Sequence, residues 1–95
     1  STLMNLVENK DYEIIPDKTD DKAWNVRVLS GPYTETVIKY GVVKFNGEDK
    51  DMTFNFDIIY TPDTELKKED VDLQVFAGTM LHEIMTRNLK ENNAN

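Results

Sequence analysis

One stretch restricts the folds open to this chain more than any other. Between 52 and 60, Met52, Phe54, Phe56, Ile58 and Tyr60 alternate with Thr53, Asn55 and Asp57. A period of two gathers the five apolar side chains on one face of an extended strand and cannot be laid along one stripe of a helix. The same even parity recurs upstream in Tyr12 and Ile14, in Trp24, Val26 and Val28, and in Ile38, Tyr40 and Val42. Four strands are therefore expected. The first stops at Pro16, which has no ladder N–H. The second runs over 24–28. The third lies within residues 34–45, rich in β-branched and aromatic side chains. The fourth ends ahead of Thr61-Pro62-Asp63. The polar run 17–22 and Ser30-Gly31-Pro32 read as the connections between strands.

Parity also constrains the hairpins. If all even positions share one core, directly opposed residues must have numbers summing to an even value, so each loop is odd in length. Asn46-Gly47 favours a two-residue type I′ turn that would oppose Phe45 to Glu48. That register would send one strand's apolar set to solvent, at about 1.5–3 kcal/mol for each side chain, far more than a turn preference. The expectation is a three- or five-residue loop with Val42 opposite Met52 or Phe54.

The period changes after 69. From Glu69 to Lys90 there is no proline, and Leu73, Phe76, Ala77, Met80, Leu81 and Ile84 fall within an arc of about 140° on a helical wheel. A helix of roughly 20 residues is expected. Leu66 and Val71 are spaced as a hydrophobic staple around a cap at Lys67. Ninety-five residues suit a single domain. The fold class is thus α+β, a four-stranded antiparallel meander packed on one face by a C-terminal helix, with 1–10 and 91–95 frayed.

Eighteen acidic against eleven basic residues leave a net charge of −7. Nucleic-acid binding relies on clustered Lys and Arg releasing counterions from phosphates, so nucleic acid is excluded as the expected partner. The chain has no cysteine, hence no disulfide framework and no thiolate site. No run of 18 apolar residues is present, and STLMNLVENK lacks the basic start and apolar stretch of a secretory signal. A cytoplasmic, non-membrane location is expected.

Chemistry-bearing motifs are missing. There is no GxSxG, P-loop, GxGxxG or HExxH. His82 is the sole histidine, and its neighbour Glu83 points about 100° away on a helix. Asp17, Asp20 and Asp21 could approach a cation but lack the alternating spacing and glycine of an EF-hand loop, so a solvated loop is expected. No cofactor, metal or catalytic residue is assigned.

Two apolar sets remain once this core is assembled. The odd sheet face carries Ile15, Leu29, Val37, Val43, Phe45 and Ile59; either Leu3, Met4, Leu6 and Val7 fold back over it or it meets a partner. The far side of the helix carries Val71, Val75, Met85 and Leu89 around Gly78 and His82, and a mid-helix glycine costs about 1 kcal/mol relative to alanine. Candidate interface residues are therefore Val37, Val43, Phe45, Ile59, Val71, Val75, Gly78, His82 and Met85.

DYEIIPD at 11–17, AWNVRVLSGPYTETVIKYG at 23–41, MTFNFDIIYTPD at 52–63 and DLQVFAG at 72–78 together resemble small acidic proteins of tailed bacteriophages, marine ones included, over most of residues 11–85. The resemblance implies a viral accessory or assembly protein in the host cytoplasm and carries over no functional residues. The expected function is a non-catalytic protein-interaction or assembly module that self-associates, most simply as a dimer. The alternatives are an acidic decoy for a host nucleic-acid-binding protein, or a ligand or enzymatic site between helix and sheet around Trp24, Tyr40, Tyr60 and His82.

Overall fold

The period-two segments form one antiparallel sheet in the computed structural model, which describes residues 5–20, 23–46 and 51–93. Strands β1 (Tyr12–Pro16), β2 (Trp24–Val28), β3 (Val37–Asn46) and β4 (Asp51–Tyr60) lie side by side in sequence order, and helix α1 (Val71–Asn93) follows. The α+β meander with a C-terminal helix is thus the architecture of the chain. The helix runs through 91–93, which the sequence places in a frayed tail. Leu3, Met4 and the Gly47 side of the last hairpin lie outside the described residues.

The first two hairpins obey even parity. Tyr12 faces Val28, Ile14 faces Val26, and Val26 in turn faces Ile38. Tyr12, Val26, Val28, Ile38, Tyr40 and Phe56 form the sheet's contribution to the core, and Leu73, Phe76, Ala77, Met80, Leu81 and Ile84 form the helix's. All six helix positions singled out by periodicity are buried. Each large one contributes about 1.5–3 kcal/mol through loss of apolar surface to water. Tyr40 enters this layer with its polar end satisfied: its hydroxyl donates to the Ala77 carbonyl at 2.6 Å. Burial pushes that phenol's pKa well above its ordinary value.

The third hairpin departs from parity. Tyr40 faces Phe56, but Val43 faces Phe54 and Asn46 faces Asp51. Two residues of β3, Gly41 and Val42, stand against Asn55 alone, which is a β-bulge. Beyond it the odd residues of β3 turn inward, so Val43 packs on the core while Val42 is 60% exposed. The expected pairing of Val42 with Met52 or Phe54 and the odd loop length are both corrected. The reason is physical: the extra residue reconciles an even loop, 47–50, with an unchanged inner face on β4. The bulge is stabilised locally. The Val42 N–H donates to Asn55 Oδ1 at 3.0 Å, and a Cβ on residue 41 would collide with that oxygen, so Gly41 makes room for the acceptor. A second irregularity opposes Val37 to Tyr60, which removes Tyr60 from the inner face.

Helix entry is also tighter than the staple pattern suggests. Asp70 is the cap residue: its carbonyl accepts the Gln74 N–H at 3.0 Å, and its carboxylate accepts the Lys67 N–H at 3.2 Å. Leu66 packs on the core, but Val71 points to solvent, so no staple joins them. Of the amino-terminal apolar residues, Leu6 and Val7 are described. Leu6 is buried in the inner core and does not cover the odd face, while a turn at Val7–Asp11 leads into β1.

Candidate functional site

The outer sheet face is organised by charge. Arg27 sits opposite Glu13 in the β1–β2 ladder and bonds it at 2.9 Å. Its other nitrogens grip both oxygens of Glu35, also at 2.9 Å. Glu35 itself has a left-handed conformation, φ 72°, where a side chain rarely sits, with its N–H donating to the Val28 carbonyl at 2.7 Å. Lys39 reaches Asp17 at 3.2 Å, and Lys68 reaches Asp57 at 3.1 Å. Several of the described carboxylates are thus engaged in ion pairs within the fold.

Asp17 is the clearest structural carboxylate of the group. Its Oδ1 accepts the Thr19 N–H and hydroxyl at 2.9 Å and the Asp20 N–H at 3.1 Å, while Oδ2 faces Lys39. These bonds hold its pKa well below the usual carboxylate range, the Thr19 backbone bond most of all. Asp21 lies outside the described residues, and among the described residues no group of three His, Cys, Asp or Glu is arranged to hold a metal ion. Asp11 and Glu35 are likewise held low, chiefly by Ser30 and by Arg27 respectively. Protonation of these groups favours the unfolded chain. Their contribution is present in full above the ordinary carboxylate value of about 4 and is lost as pH falls through each folded value. Thermal melts are expected to be level from pH 7 to about 5 and to fall below about pH 4. In Asp17→Asn the acid limb should be shallower; an unchanged limb would remove Asp17 from this account.

The four residues that suggested an enclosed ligand site do not converge. Trp24 and Tyr40 stack in a tilted pair with ring centroids 5.2 Å apart, and the Tyr40 hydroxyl is committed to α1. Tyr60 is more than half exposed at the far end of the β3–β4 ladder, and His82 lies on the exposed side of the helix.

A different concavity is present. An open groove of about 490 Å³ runs between β4 and the first turns of α1, lined by Phe54, Phe56, Lys68, Glu69, Val71 and Val75 among others. Its floor is a row of rings: Phe54 stacks near Phe56 at 6.2 Å and meets Tyr40 edge-on at 6.0 Å. Gly78 allows this approach, since a Cβ there would lie 3.3 Å from the Phe54 ring. Its wall is Val71 and Val75, 70% and 63% exposed and one helical turn apart. Along its mouth runs the outer side of β4, whose ladder partner among the described residues is β3 alone.

The candidate interface residues divide accordingly. Val71 and Val75 line the groove, and Gly78 supports its floor. Val37 and Ile59 stay on the outer face, and His82 is exposed on α1. Val43 and Met85 pack against the core, which corrects their placement on outward surfaces, as Gly78 against Phe54 corrects its own. The Phe45 side chain lies outside the described residues. Nothing in the sequence marks Phe54, Phe56, Lys68 and Glu69 as site residues; the one sequence signal is the mid-helix Gly78 beside the Val71/Val75 pair.

No protein-family model matches the chain, and neither the curated proteins nor the solved structures yield a match. No described helix is long and apolar enough to cross a membrane.

Proposed function

We propose that the chain is a non-catalytic protein-interaction module whose working surface is the β4 edge together with the groove beside it. The observation that carries this reading is a coincidence in one place. An apolar concavity, two exposed valines and a ten-residue strand whose ladder partner among the described residues is β3 alone adjoin one another. Exposed edges and apolar patches are features that folded proteins ordinarily cover or use. The opposite edge is treated differently. β1 is five residues long, ends in Pro16 and is bridged at Tyr12 by Glu8. The resemblance to phage accessory proteins is compatible with such a role, and a second copy of the chain belongs among the candidate partners.

Val75→Glu tests the reading, because Val75 is mostly exposed and its replacement should change stability by no more than about 0.5 kcal/mol. Partners co-purifying with the native chain from its source cells are expected to be lost with Val75→Glu and retained with Lys44→Glu, on β3 away from the groove. Partners retained by the folded Val75→Glu chain would contradict the proposal.

A further inference from the structure

The segment beside the groove carries a net negative charge. Between 57 and 72 the chain carries six carboxylates against Lys67 and Lys68, which accounts for four of its seven net negative charges. This segment leaves the end of β4 and returns as the first turn of α1, and it contributes Lys68, Glu69 and Val71 to the lining of the groove. Of the two lysines, Lys68 is already paired with Asp57. Lys68 lines the groove, whereas Asp57 belongs to the outer face opposite Lys39, so the ion pair passes across the β4 edge. Charged side chains laid over an edge are a common means of blocking unwanted strand addition.

Resting on the reading above, we infer that β4 receives an extended segment of a basic partner protein as a fifth strand of the sheet. Its alternate apolar side chains enter the groove, and its lysines or arginines point to the outer face beside Asp57 and to the rim at Glu69. Period and charge both select this occupant. Phe54 and Phe56 repeat every second residue, about 6.8 Å apart along a strand, which matches the side-chain repeat of another strand. Among the described residues β4 is laddered to β3 alone, and its other side offers the main-chain N–H and C=O groups that strand addition uses. A second copy of this chain would bring the same excess of carboxylates against itself, whereas a basic segment neutralises it and can take Asp57 from Lys68.

The test is a titration of the isotope-labelled full chain with three blocked nine-residue peptides in which valine alternates with lysine, serine or glutamate. The lysine peptide is expected to shift the β4 and Val71–Val75 amide resonances and to slow exchange of the outward-facing β4 amides. Its affinity should exceed that of the serine peptide about tenfold at low salt and lose most of that advantage near 0.5 M salt, where screening is nearly complete. The glutamate peptide should not bind. Lys68→Ala, which frees Asp57 and uncovers the edge, should tighten the lysine peptide several-fold with the free chain's spectrum otherwise preserved. Equal binding of all three peptides at β4 would overturn the basic partner while leaving the groove reading in place. Failure of every peptide to perturb β4 would overturn strand addition, whereas the groove itself stands or falls with Val75→Glu. Concentration-dependent dimerisation that protects β4 without peptide would make the occupant a second copy and overturn the inference.

Discussion

Replacement of Leu81 by alanine is expected to lower the free energy of unfolding by about 3 kcal/mol. Leu81 is 0% exposed, at the middle of the stripe with which α1 covers the sheet, and its neighbours Ala77, Met80 and Ile84 are buried on the same face. Truncation removes the transfer energy of the deleted atoms and leaves a cavity that close-packed surroundings refill only in part. A domain of this size typically holds 5–15 kcal/mol in all, so the loss is a large fraction and should lower Tm by roughly 12–24 °C. Val75→Ala, on the solvent side of the same helix, should stay within about 0.5 kcal/mol of the native chain. Chemical denaturation of the three chains decides the matter; a loss below about 1 kcal/mol for Leu81→Ala would mean that the helix does not seal the sheet.

The second large effect concerns deletions in β3. Removing Val42 takes out the bulge residue itself: Gly41 then opposes Asn55, Val43 still opposes Phe54, and every inward side chain keeps its face. Such a chain should fold with a change of about 1 kcal/mol or less. Removing Lys39, three residues earlier, brings Ile38 next to Tyr40, and consecutive strand residues point to opposite faces. At least one of two buried side chains must then leave the core, and if it is Tyr40 the bond to the Ala77 carbonyl goes as well. A loss of about 3 kcal/mol or more is expected from the exposed area and the broken buried bond together. Melting both deletion variants tests the bulge assignment, and equal sensitivity to the two deletions would refute it.

These two sites also mark where the sequence is legible and where it is not. β4 from Phe54 to Ile58 and α1 from Leu73 to Ile84 can be read directly, because each keeps one period along that length and needs no information from elsewhere, whereas Tyr60 leaves the inner face at a register shift that the period does not show. The bulge cannot. Gly41-Val42-Val43 offers apolar side chains at both parities, and the choice between Val42 and Val43 as the inward residue depends on Asn55, a residue on another strand that accepts the Val42 N–H. Strict parity therefore placed Val42 inside and Val43 outside, the reverse of the structure. The helix start is likewise not legible from spacing alone. Leu66 and Val71 have the spacing of a staple, but the helix is capped at Asp70, whose carboxylate accepts the Lys67 N–H, and Val71 is exposed. The groove needed still more: that β4 forms an edge, and that α1 lies close enough to its flank for Gly78 to rest on Phe54. Val71, Val75 and Gly78 drew attention through surplus apolarity and helix cost, whereas the phenylalanines opposite them read as ordinary core.

The proposed interaction requires β4 to have one unpaired side, and amide hydrogen exchange along that strand measures this directly. In dilute solution of the isolated chain, amides of β4 that face β3 should exchange slowly and the alternate ones, which face outward, should exchange at rates near those of open chain. Uniform slow exchange along the whole strand at low concentration would show both sides already bonded, and the edge on which the proposed interaction rests would not exist.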